Sequence, residues 1–117
     1  MATIRDLVAA LRERDGVEAA VVLGRDGLVI DGQTVPGLDA ESVAALAPAV
    51  VGAADEFGSH VNRGSLRTTI LEYEGGVAVV SVLSPDALLL VLARHSVTLG
   101  HLLFELRRNR ENLATLV

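Results

Sequence analysis

The residues that could carry out chemistry in this sequence are few and far apart. The chain has three histidines, His60, His95 and His101, and it lacks the HExxH pattern that would place two of them on one helical face as metal ligands. It has no cysteine, which excludes disulfides, thiolate metal sites and cysteine nucleophiles. We therefore predict no catalytic residue, no metal site and no cofactor.

Glycines and paired carboxylates offer no better candidates. The segment Gly24-Arg25-Asp26-Gly27 connects two strand-like runs, and the chain lacks the GxxxxGKS/T pattern of a phosphate-binding loop. The acidic pairs Asp55-Glu56 and Glu72 with Glu74 fall at the ends of predicted elements, where carboxylates are solvated. A hairpin turn and ordinary surface acids explain these residues, so we do not expect an enzyme.

The composition restricts the possible partners. The 117 residues have the length of a single domain, residues 1–117, and carry a net charge of −5 with 3% aromatic residues. Nucleic-acid-binding domains usually carry a net positive charge or a basic face, so we do not expect this chain to bind nucleic acid. The C-terminal segment carries three arginines close together: Arg107, Arg108 and Arg110. They could form a docking patch, or they could stabilise the helix through the attraction of cations to the negative end of its dipole.

The same composition gives an expectation for location. No apolar run approaches the roughly 20 residues that span a bilayer, which argues against membrane insertion. The first residues lack the charged-then-apolar pattern of a signal peptide, so we expect an unprocessed chain. Together with the absence of cysteine, this predicts a cytoplasmic protein.

The apolar periodicity and the turn residues along the chain predict the element order αββαβββα. Three of the strands are joined by connections so short that consecutive strands must be antiparallel. The fold class is therefore α+β, with a five-stranded antiparallel sheet flanked by helices. We expect a first helix that begins after Thr3, whose hydroxyl can cap it while Asp6 completes a capping-box pattern, and that runs to about Asp15-Gly16. The other predicted elements are strands Val17–Leu23 and Leu28–Ile30, a loop 31–38, a helix that is capped by Asp39 and continues to about Phe57, strands Leu66–Tyr73, Val77–Leu83 and Ala87–Ala93, and a C-terminal helix from Leu99.

The second helix is unusual because it is apolar nearly all round. We predict that one face packs on its own sheet; this face comprises Val43, Leu46, Ala47, Val50, Ala54 and Phe57. The remaining surface has almost no charge before Asp55, and its small residues would let a second backbone approach closely. Pro48 predicts a bend near Ala44. A twin chain or a partner would cover this surface, although an alanine-rich helix can also stand exposed.

The strand from Leu66 to Tyr73 could lie at an edge of the sheet. There its unpaired amides could pair with their own copy across a two-fold axis. Leu66, Thr68 and Ile70 alternate along it with Arg67, Thr69 and Leu71. Arg67 could instead protect the edge as a deterrent charge.

In the order and spacing of its segments, the chain resembles the Roadblock/dynein light chain family, and especially its bacterial MglB-like members. The similarity covers nearly the whole chain, although Pro48 departs from the family pattern. The segments that carry it are a helix with Leu7 and Leu11, Gly16-Val17-Glu18-Ala19-Ala20-Val21-Val22, Asp26-Gly27-Leu28-Val29-Ile30, Asp39-Ala40-Glu41, Glu74-Gly75-Gly76-Val77-Ala78-Val79-Val80, Leu88-Leu89-Leu90-Val91-Leu92 and Leu99-Gly100.

The resemblance implies a homodimer whose sheets join into ten strands and which binds a Ras-like small GTPase without being an enzyme. Carried over by position, the dimer interface would comprise Leu66, Thr68, Ile70, Ala44, Ala49, Val51 and Ala53. The candidate GTPase contacts would be Glu41, Ala45, Pro48, Gly52, Asp55 and Glu56. A small-molecule sensor and a purely structural scaffold subunit remain the alternatives.

Overall fold

The computed structural model describes residues 3–94 and 99–117, so His95 lies outside the described residues. Within them the order αββαβββα is confirmed. The helices are α1 (Ile4–Glu13), α2 (Ala40–His60) and α3 (Leu99–Thr115). The strands are β1 (Val17–Gly24), β2 (Val29–Thr34), β3 (Thr68–Tyr73), β4 (Gly76–Ser84) and β5 (Ala87–Ala93).

The five strands form one antiparallel sheet in the order β2-β1-β5-β4-β3. The three inner strands are buried on both faces, which explains why their sequences are continuous apolar runs. Along β4, Val79 packs with α1 and α3 on one face, and Val80 and Val82 pack with α2 on the other. The described residues therefore form two hydrophobic cores, one on each side of the sheet.

The first helix is fixed by the capping box that the sequence predicts. The Thr3 hydroxyl accepts a hydrogen bond from the Asp6 backbone N–H at 3.2 Å, and the Asp6 carboxylate accepts one from the Thr3 N–H at 3.0 Å. Val8 and Leu11 are then buried against the sheet.

The expected loop from Asp31 is wrong in its first part, because β2 continues to Thr34. Gln33 and Thr34 pair with Ala20 and Ala19 of β1. Gly32 indicates a loop in the sequence, but here it faces Val21, whose methyl carbons would lie 3.3 Å from an added Cβ. A glycine thus serves close packing between two strands instead of a turn.

The second helix is longer than predicted and continues through Pro48 to His60. The Asp39 side chain caps its start by accepting from the Glu41 N–H at 3.2 Å. At its end Asn62 has φ 57°, and the Arg63 N–H donates to the Gly58 carbonyl at 2.9 Å. This left-handed cap stops the helix and turns the chain towards β3.

Candidate protein-protein interface

The face of α2 that packs on the sheet differs from the predicted one. Its buried residues are Ala44, Ala47 and Val51, and these small side chains let the helix lie close to the strands. Ala44 and Val51 are both 0% exposed, so their assignment to a dimer interface is wrong. Their surface is already covered within the chain.

The larger apolar side chains of α2 point to the solvent instead. Leu46 and Phe57 are each 71% exposed, which corrects their assignment to the sheet-packing face. With half-buried Val50 and exposed Ala53 they recur at spacings of four, three and four residues. We call Leu46, Val50, Ala53 and Phe57 the apolar strip; exposed Ala49 lies next to it. Its spacing is that of a seam between two helices, and this signal was present in the sequence.

The candidate GTPase contacts lie on the other flank of α2. Helical spacing places Glu41, Ala45, Pro48, Gly52, Asp55 and Glu56 together, and we call them the polar strip. A Cβ built at Gly27 would lie 3.4 Å from the Ala45 Cα and 3.7 Å from Pro48 Cγ, so this strip borders the β1–β2 turn. The strips are thus separated by the outermost line of the helix.

Asp55 has a structural contact within the polar strip. Its carboxylate accepts a hydrogen bond from the Leu66 N–H at 2.8 Å, which joins α2 to the start of β3. Asp55 is partly buried, whereas Glu41, Ala45, Gly52 and Glu56 are exposed. The exposed members are the ones that a partner could reach without disturbing the fold.

The third strand lies at an edge of the sheet, as expected. It begins at Thr68 and not at Leu66. Thr68 and Ile70 lie opposite Ser81 and Val79, on the face of α1 and α3. Leu66 instead packs against the core on the α2 side, so the predicted alternation of these three residues is wrong at its first member.

The α2 face of the sheet is unevenly covered. The helix lies mainly over β1 and β2. At the opposite edge, Leu71 is half-buried, Tyr73 is exposed and the buried Thr69 hydroxyl has no hydrogen-bond partner among the described residues. Thus the apolar strip and the end of β3 at Tyr73 present surface that the described residues do not cover.

The histidines and acidic side chains of the described residues form no metal-ligand cluster. Among these residues, no group of three or more His, Asp or Glu side chains could hold a metal ion. His60 lies near the end of α2, with Nδ1 3.0 Å from the Glu56 carbonyl oxygen, and His101 is exposed on α3. Within the same residues, no helix combines the length and apolar character needed to cross a membrane.

Comparison with known proteins agrees with this architecture. The family model described as "Roadblock/LC7 domain" matches residues 3–93, which end before α3. Two uncharacterised proteins of Methanocaldococcus jannaschii, MJ1340 and MJ0714, are 34% and 35% identical over 103 residues. These matches cover 88% of this chain and 90% and 86% of the two relatives. The chain belongs to the Roadblock/LC7 domain family.

Solved structures show the same fold. The Roadblock/LC7 domain from Streptomyces avermitilis superposes with a TM-score of 0.85 at 24% identity, covering 96% of this chain and 95% of that one. Myxococcus xanthus MglB superposes with a TM-score of 0.88 at 14% identity, covering 97% and 93%. Another similar structure is that of MglB "with tetrameric arrangement". The likeness to these structures is one of fold.

Proposed function

We propose that this protein is a homodimeric, non-catalytic adaptor that regulates a Ras-like small GTPase in the cytoplasm. The observation that carries the proposal is the apolar strip of α2, exposed on the same side of the sheet as the uncovered part of β3. The resemblance to MglB-like Roadblock proteins supplies the class of partner.

A second copy of the chain is the best occupant for the apolar strip. Burying a Leu or Phe side chain contributes about 1.5–3 kcal/mol each, and a two-fold axis would bury Leu46 and Phe57 twice. The β3 edge would then pair with its own copy, extending the sheet to ten strands. Of the interface residues expected from sequence, Thr68, Ile70, Ala49 and Ala53 remain in this proposal.

The polar strip would stay accessible in such a dimer, because it lies on the other flank of α2. Its exposed residues combine small side chains with the carboxylates of Glu41 and Glu56. Small side chains permit close approach, and the carboxylates select for a basic patch on the GTPase. Regulation requires that this surface bind one nucleotide state of the GTPase more tightly than the other.

The test is a titration of the protein with a Ras-like small GTPase from the same organism, loaded with GDP or with a non-hydrolysable GTP analogue. We expect at least about a tenfold difference in affinity between the two states. Ala45→Arg places a bulky cation in the polar strip and should weaken binding. Ala10→Arg is the matched control, since Ala10 is also an exposed helical alanine but lies on α1, across the sheet.

The remaining outcomes separate the alternatives. Stable association with equal affinity for both nucleotide states would indicate a scaffold subunit and contradict regulation. If the GTPase did not bind in either state, the proposal would fail. Thermal shifts with a metabolite panel would then favour a sensor.

A further inference from the structure

The arginines are unevenly distributed over the molecule. The chain carries a net charge of −5, yet Arg25, Arg63, Arg67 and Arg110 line one open cavity of about 640 Å³. We call this cavity the arginine cleft. Arg107 and Arg110 also line an adjoining cavity, together with Arg63 and Arg67. Half of the ten basic residues therefore lie around the connection from α2 to β3.

Three separate parts of the fold bring these side chains together. Arg25 lies in the β1–β2 turn, where its backbone N–H donates to the Asp86 carbonyl at 3.0 Å. Arg63 follows the cap of α2, and the Arg67 carbonyl accepts from the Val82 N–H at 2.8 Å. Arg110 reaches the cleft from α3. The backbone bonds fix the positions of the first three residues independently of their side chains.

The guanidinium groups of the cleft lack anionic partners in the described part of the chain. The two ion pairs found there are Arg14 with Glu105 and Arg94 with Asp15, on other parts of the surface. Arg25 Nε is buried and has no hydrogen-bond acceptor among the described residues. Leaving a buried charged donor without an acceptor costs free energy, which a bound anion would recover.

The charges in the cleft indicate what it can bind. Four arginines and Asp55 are among its lining residues, which together carry a formal charge of +3. Since the whole chain carries −5, the remainder carries −8 and would repel an extended acidic protein surface. A small multivalent anion, in contrast, can enter the cleft without meeting the remaining surface.

The shape of arginine and the size of the cleft refine this choice. Guanidinium groups bind phosphoryl oxygens through paired N–H donors in a planar fork. The cleft volume lies within the range of about 300–1,000 Å³ that is typical of small-molecule sites, and it is large for one phosphate ion. We propose that the arginine cleft binds the diphosphate or triphosphate group of a small molecule.

The proposal is tested by calorimetric titration of the full chain with inorganic pyrophosphate at constant ionic strength, with sulfate in a parallel titration. We expect saturable binding that is tighter for pyrophosphate than for sulfate. Arg25→Gln and Arg110→Gln should each weaken it by about tenfold or more, because each removes a charge-assisted pair. Two variants on different elements guard against a folding defect in one of them.

Arg108→Gln is the matched control, since Arg108 is exposed on α3 and does not line the cleft. It should bind pyrophosphate like the parent chain. Absence of saturable binding, equal binding of sulfate and pyrophosphate, or equal losses in all three variants would overturn the proposal. Tighter binding of a poly-glutamate peptide than of pyrophosphate would also overturn it, in favour of an acidic protein segment.

Discussion

Among the single residues, the adjacent glycines Gly75 and Gly76 differ in how much space a side chain would have. Gly76 begins β4, and a Cβ built there would lie 2.5 Å from the backbone carbonyl oxygen of Ala93 in β5. A Cβ at Gly75 would meet nothing within 4 Å. Gly76 therefore permits the close approach of two strands, whereas Gly75 only forms part of the turn.

This contrast gives a prediction for stability. Gly76→Ala should lower the free energy of unfolding by about 1–3 kcal/mol, because the strand backbones must separate to admit the methyl group. Gly75→Ala is the control and should change it by less than about 0.5 kcal/mol. Urea denaturation of both variants provides the measurement, and equal destabilisation would contradict the packing described for Gly76.

Among the secondary-structure elements, α2 has three faces with different surroundings. Ala44, Ala47 and Val51 pack on the sheet, its apolar strip faces outward on one flank, and its polar strip faces outward on the other. Such a division explains why the helix appears apolar all round in sequence. Ala44, Ala47 and Val51 account for the contact with its own sheet, and Leu46 and Phe57 supply the free apolar surface.

The apolar strip can be tested with a matched pair of phenylalanines. Phe57→Lys should weaken the proposed dimer more than about a hundredfold, since each of two copies loses about 1.5–3 kcal/mol of burial. Phe104 is 60% exposed on α3, on the other side of the sheet, so Phe104→Lys should leave the dimer intact. Sedimentation velocity distinguishes dimer from the 12.2 kDa monomer. A parent chain that sediments as a monomer at micromolar concentration would contradict the proposed dimer.

In the fold as a whole, the sheet formed by the described residues has two edges, β2 and β3, which differ in character. At one edge, β2 pairs only on one side, with β1, and follows the β1–β2 turn. Ile30 of β2 is 51% exposed. The β3 edge carries Ile70 and Tyr73, which are 42% and 60% exposed, and lies at the opposite end of the sheet. Only the β3 edge is joined by a hydrogen bond to the later part of α2, through Asp55 and Leu66 among the described residues.

The proposed ten-stranded sheet therefore predicts unequal protection of the two edges. Amide hydrogen exchange in Thr68–Tyr73 should slow as protein concentration rises, because pairing with a second copy protects these N–H groups. Exchange in Val29–Thr34 should be independent of concentration and serves as the internal control. Concentration-dependent protection at β2 instead of β3 would place the interface at the other edge.

The order of the elements and the antiparallel arrangement of consecutive strands followed from the sequence, because periodicity, turns and short connections are local properties of the chain. The pairing of β1 with β5 did not follow from it. The capping box at Thr3 and the three antiparallel strands after residue 66 are examples. The family resemblance followed from the order of these local segments. Sequence could also indicate that α2 has more apolar surface than one sheet can cover.

Which side of α2 faces the sheet depends on tertiary packing. An apolar helix has several faces of similar hydrophobicity, so periodicity alone did not separate Ala44 and Val51 from Leu46 and Phe57. The buried face is defined by the packing of Ala44, Ala47 and Val51 against the strands. The arginine cleft likewise arises where distant segments meet, since Arg25 and Arg110 are 85 positions apart in the chain. Local sequence patterns do not show which distant charged residues lie close together in the fold.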